Sequence, residues 1–101
     1  MSGALKIEYL KTAERDLVGI FTYIRSDNPT AAPSLLEEID RSISHLSRNP
    51  DLGVLPKDDR LRKLGYRILI IRKYIVFYVV KKDTLQIRRV LHGARQFAFL
   101  L

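Results

Sequence analysis

Apolar and polar residues alternate one by one at the start of the chain, through Ala4-Leu5-Lys6-Ile7-Glu8-Tyr9, the period of a half-buried β-strand. From residue 12 the period lengthens. Ala13, Leu17, Ile20, Phe21 and Ile24 define one apolar stripe, the pattern of an amphipathic helix lying on a core. Thr12 is placed to cap this helix, and Glu14 and Asp16 lie in its first turn, where the helix dipole favours acid. Ser26-Asp27-Asn28-Pro29 interrupts it and opens a second helix, with Asn28 as the expected N-cap and Pro29 as the first residue. The second stripe is the clearest in the chain. Ala32, Leu35, Leu36, Ile39, Ile43 and Leu46 recur at helical spacing until Asn49-Pro50 stops the pattern. Two helices on so short a connection predict an antiparallel hairpin.

Residues 50–63 carry Pro50, Gly53, Pro56 and the pair Asp58-Asp59 ahead of Arg60, Arg62 and Lys63, with no periodicity of their own. They read as an ordered loop in which the two acids serve capping and local ion pairing. Three β-rich runs follow at 64–72, 74–81 and 84–92, joined by turns near Lys73 and at Lys82-Asp83. Connections this short force an antiparallel meander, because a parallel crossover needs about a dozen residues or more. The expected architecture is α+β and a single domain spanning 1–101: an N-terminal strand, the helical hairpin, then the meander, with the helices on one face of the sheet. Ile75-Val76-Phe77-Tyr78-Val79-Val80 is apolar on both alternating faces, as in a strand buried on both sides. The hairpin covers one face only. The other calls for the C-terminal tail, the long loop or a bound partner.

Composition narrows the class. The chain has 101 residues, 47% of them apolar, and no cysteine, so it has no disulfide framework, thiolate metal site or cysteine nucleophile. No apolar run reaches the roughly 18 residues of a membrane helix, and the N-terminus lacks a signal-peptide pattern; a soluble, cytoplasmic protein with no membrane contact is expected. The net charge of +7 sits in one half: residues 1–50 hold six Lys/Arg against seven Asp/Glu, and residues 51–101 hold twelve against four. Such asymmetry points to a nucleic acid or an acidic protein as partner, the alternative being a basic surface that serves solubility.

The candidate chemistry lies in that basic half. Arg67, Arg72, Arg88, Arg89, His92 and Arg95 are the residues of interest, with Lys73 beside them. Cations on a sheet hold phosphates and stabilise charge developing in a transition state, and a histidine titrates near neutrality. Each has a plainer role available: arginines pair with acids or snorkel over apolar surface, and strand-end histidines are commonly hydrogen-bonded parts of the scaffold. Tyr66, Tyr74 and Tyr78 interleave with the cations, as base stacking would need; Tyr78 fits a core-edge position better. His45 and His92 are the only histidines and neither has a ligand-spaced neighbour, so no metal and no cofactor is expected. No phosphate-cradling glycine motif and no nucleophile–base motif occurs. The residues favour binding of an anionic partner over catalysis.

Taken in order, Ala13-Glu14-Arg15-Asp16-Leu17 with Ile20 and Tyr23-Ile24, Asn49-Pro50 with Gly53, Leu64-Gly65-Tyr66-Arg67, Tyr74-Ile75-Val76-Phe77-Tyr78 and Arg89-Val90-Leu91-His92 resemble the RelE/ParE family of bacterial toxin–antitoxin toxins. The resemblance spans nearly the whole chain and implies the fold just described. It implies a cognate antitoxin that wraps the toxin in a hetero-oligomer, covering Ile75 and Phe77 on the open sheet face and bringing acid to the stretch from Arg67 to Arg95. It also implies one of two targets. RelE-like members cut mRNA on the translating ribosome without a metal; ParE-like members block DNA gyrase. For a ribonuclease the catalytic set implied here is Arg67, His92 and Arg95. Yet Ile75 stands where ribonuclease members carry an arginine, and the tail Phe97-Ala98-Phe99-Leu100-Leu101 lacks their terminal tyrosine. The Tyr74–Tyr78 strand and Arg89–His92 look more like the ParE side, with Arg95, Phe97 and Phe99 as part of the surface presented to gyrase. A basic nucleic-acid-binding module is the alternative of another class.

Overall fold

The computed structural model of the chain describes residues 3–93. Strand β1 (Lys6–Tyr9), helices α1 (Lys11–Asp27) and α2 (Ala31–Arg48), a 3-10 turn (Pro50–Leu52), a short helix α3 (Asp59–Lys63) and strands β2 (Tyr66–Ile71), β3 (Tyr74–Lys81) and β4 (Thr84–His92) follow in order. The strands form one four-stranded sheet in the order β1-β4-β3-β2. β2, β3 and β4 are the expected meander, and β1 joins β4 in parallel, Lys6 beside Thr84 through Tyr9 beside Ile87.

The helix starts differ from the expected caps. α1 begins at Lys11, and the Thr12 hydroxyl donates instead to the Arg88 carbonyl at 3.0 Å, tying α1 to β4. Asn28 does not open α2. Its N–H closes the last turn of α1 on Ile24 O and its carbonyl accepts from Ala31 N–H, so α2 starts at Ala31. The Asn28-Pro29 break is real, but it ends one helix rather than starting the next.

Two apolar clusters sit on opposite faces of the sheet. The larger joins Ala13, Leu35, Ile39, Ile43 and Leu46 of the hairpin to Val76, Tyr78, Leu85, Ile87 and Val90. The smaller contains Leu61, Tyr66, Phe77, Val79 and Leu91, with Ile68 and Ile75 packed at its edge. Val76, Phe77, Tyr78 and Val79 are all buried, which bears out the two-sided burial of β3.

Leu61 comes from α3, inside the stretch expected to be plain loop. Asp58 caps this five-residue helix by accepting from Leu61 N–H at 3.0 Å, and Asp59 pairs with Arg62. Those are the roles expected of the two acids. Gly65, at φ +88°, then turns the chain into β2, a conformation glycine adopts without steric cost. Five residues are too few for a helical period to show, so burial of Leu61, not periodicity, is what defines α3.

Both hairpin turns place a non-glycine residue in the left-handed region, Arg72 at φ 55° and Lys82 at φ 53°. That conformation costs an L-residue roughly 1–2 kcal/mol, and glycine returns part of the gain through its freer unfolded chain. Lys82→Gly is therefore expected to raise stability by about 0.5–1 kcal/mol, read as a higher urea midpoint with unchanged slope.

Candidate functional site

Of the six residues of interest, the five that lie among the described residues do not converge. Arg67, on β2, donates from Nη1 to the Gly53 carbonyl at 2.8 Å and lies 3.7 Å from Asp51. Here it locks the turn that leaves α2. The same turn is held from the other side by Tyr78, whose hydroxyl donates to Pro50 O at 2.7 Å and accepts from Gly53 N–H at 3.0 Å. Burial raises the Tyr78 phenol above its ordinary range, partly offset by the Gly53 hydrogen bond, so the hydroxyl stays a donor. Arg72 reaches back to α2, pairing with Glu38 at 2.7 Å and touching the Ser34 hydroxyl.

Arg88 and Arg89 are neighbours in sequence and go separate ways. Phe77 faces Arg89 while Tyr78 faces Ile87, so Arg88 is an extra residue on β4. A bulge of this kind re-aims the side chains around it. Arg88 lies over the Tyr66 ring, 5.4 Å from its centroid, and donates to Gln86 Oε1 at 2.7 Å, while Gln86 in turn donates to Glu8. Arg89 forms a two-pronged pair with Asp16 of α1, at 2.8 and 2.9 Å, and the same carboxylate accepts from Val90 N–H at 3.0 Å. The hydrogen bond from Arg89 to Asp16 raises the pKa of this guanidinium still further.

Phe77 is fully buried and Val79 nearly so, which corrects the expectation of an open apolar face along β3. Ile75 is partly buried at the edge of the α3-side cluster. Phe77 is a core residue. Arg95, Phe97 and Phe99 lie outside the described residues.

What the fold does bring together is a cleft of about 670 Å³ between α1 and the end of the sheet. Lys73 lines it from the β2–β3 turn, Tyr74 and His92 from the strands, and Arg15, Gly19 and Tyr23 from α1. Tyr74 and His92 meet edge to face with ring centroids 5.4 Å apart. Burial, and Tyr23 nearby, raise the Tyr74 phenol. Tyr23 itself is 75% exposed. Lys73 and His92 were legible as candidates; Arg15, Gly19 and Tyr23 were not singled out. A tyrosine and a glycine lying off the apolar stripe of α1 are the signal that marks them. Among the described residues no three His, Cys, Asp or Glu side chains gather as metal ligands, and no helix is long and apolar enough to cross a membrane.

Comparison with known proteins places this architecture. In solved structures the chain is similar to the chromosomal ParDE toxin–antitoxin system from P. aeruginosa, at a TM-score of 0.74 and 19% identity, covering 90% of this chain and 98% of that one. It is also similar to the RelBE2 toxin–antitoxin complex from Mycobacterium tuberculosis, at a TM-score of 0.61 and 22% identity, covering 91% and 94%. At these identities the likeness shows a shared fold. No curated protein matches the chain significantly in sequence. The family model for the ParE toxin of type II toxin–antitoxin systems, parDE, matches residues 7–97. A match over nearly the whole chain, with the expected strand–hairpin–meander fold beneath it, shows that the chain belongs to the ParE toxins of type II toxin–antitoxin systems.

Proposed function

We propose that this toxin arrests growth by binding DNA gyrase rather than by cutting RNA, and that a cognate antitoxin neutralises it in a hetero-oligomer. The observation that carries the choice of target is the dispersal of the cations. Arg67, Arg72, Arg88 and Arg89 are committed to Gly53, Glu38, Tyr66 with Gln86, and Asp16 respectively. A metal-free ribonuclease needs a general base and several cations gathered around one phosphate. A binding toxin needs only a surface. The antitoxin rests on family membership, and both solved structures named above are of toxin–antitoxin systems.

One observation favours the ribonuclease reading: His92 shares its cleft with Arg15 and Lys73. Two assays on the purified toxin separate the readings. Gyrase supercoiling should be inhibited, should remain inhibited by the His92→Ala variant, and should recover when residues 96–101 are deleted. Cleavage of mRNA on translating ribosomes, lost in His92→Ala or Arg95→Ala, would replace gyrase with the ribosome as target. Expression of the chain alone should slow bacterial growth, and co-expression of the antitoxin should restore it.

A further inference from the structure

The cleft beside α1 has features the scaffold does not explain. Gly19 sits in the interior of α1, where glycine costs about 1 kcal/mol against alanine. A side chain added there would meet nothing within 4 Å, so no packing inside the protein requires it. Tyr23, one turn further along the same wall, leaves three-quarters of its surface in solvent. The charge is also unbalanced. Among the described residues Asp16 is the only acid lining the cleft, and both its oxygens are taken by Arg89 and the Val90 N–H. The side chains of Arg15 and Lys73, which face the cleft from its two walls, form no ion pair among the described residues.

We propose that this cleft seats an acidic peptide segment of the antitoxin, its carboxylates on Arg15 and Lys73 and its backbone close against Gly19. The inference rests on the toxin–antitoxin reading and moves the contact from the β3 face, now seen to be buried, to the α1 side of the molecule. The wall from Arg15 to Tyr23 spans eight helical rises, about 12 Å, enough for two helical turns or three to four extended residues of a partner. Its floor is aliphatic, from Ile20 and Val90, and takes an apolar anchor side chain with Tyr23 and Tyr74 at the rim. Nucleic acid fits this lining less well: a strand carries a charge at every nucleotide and follows a track of cations, whereas among the described residues the lysine and arginine side chains lining the cleft are Arg15 and Lys73, one on each wall.

The absence of cysteine makes a clean test available. Gly19→Cys introduces one thiol into the cleft, and its rate of maleimide labelling is measured in free toxin and in the purified toxin–antitoxin complex. Labelling at least tenfold slower in the complex is expected. A second variant, Gly19→Leu, fills the cleft and should weaken antitoxin binding at least tenfold while its melting temperature rises, because leucine is the better helix former. A complex that assembles with unchanged labelling, or Gly19→Leu toxin that binds antitoxin with full affinity, would overturn the proposal. Slower labelling with a ten-nucleotide oligo-dT but not with antitoxin would overturn it in favour of nucleic acid. Failure of the two proteins to associate at all would instead remove the antitoxin reading, and the proposal with it.

Discussion

Asp16→Ala should destabilise the protein by about 3 kcal/mol or more, the range expected when one partner of a largely buried ion pair is removed. The side chains of Asp16 and Arg89 are only 12% and 20% exposed. Truncating Asp16 takes the two-pronged acceptor away from a guanidinium with little water around it and leaves the Val90 N–H without its acceptor. The two losses fall on the seam where α1 rests on β4, so they share one cause and do not simply add. Replacing both partners by apolar residues, Asp16→Leu with Arg89→Met, should return most of the stability, since an apolar pair of similar volume is often as stable as a buried ion pair. Urea unfolding of the three variants decides it. A loss under about 1 kcal/mol for Asp16→Ala would mean that the pair behaves as a surface salt bridge.

Gly53→Ala is the second large effect, expected at about 3 kcal/mol from overpacking together with lost hydrogen bonds. A Cβ at this position would collide with the Tyr78 hydroxyl and lie 2.8 Å from the Ile68 carbonyl. The clash falls on the β2–β3 pair, where Tyr78 is buried and Val54 bridges to Ile68, so neither group moves without disturbing the sheet. Tyr78→Phe provides the comparison. It removes the bonds to Gly53 N–H and Pro50 O without a clash, and should cost about 1–3 kcal/mol. If Tyr78→Phe proves the more damaging of the two, the polar anchor outweighs the steric fit.

The elements of this fold were legible where the hydrophobic period was long or the connection short. The α2 stripe from Ala32 to Leu46 and the two-residue turns at Arg72-Lys73 and Lys82-Asp83 each left one solution. α3 was not legible, because a five-residue helix has no period; only the capping pair Asp58-Asp59 hinted at it. The candidate site was less legible still, and the reason is the bulge on β4. An extra residue at Arg88 breaks the alternation that sequence reading relies on, and sends Arg88 and Arg89 to different partners. Their partners are also remote in sequence, with Asp16 lying 73 residues before Arg89. One clue was present. Asp16 falls between Ala13 and Ile20 on the buried side of α1, and a carboxylate there needs a cation from elsewhere in the fold. Reading Asp16 as a helix-dipole residue missed it.

The parallel pairing of β1 with β4 sets a timetable for synthesis. Lys6 cannot meet Thr84 until the chain has grown by the 78 residues from Ile7 to Thr84, which at about 5–20 residues per second takes about 4–16 s. The Asp16–Arg89 clamp and the ties of Thr12 and Leu10 to β4 wait on the same strand. A nascent chain therefore carries the complete helical hairpin for seconds before the sheet beneath it can close. The toxic fold closes only once β4 has been made, and an antitoxin already present meets its target as that fold forms.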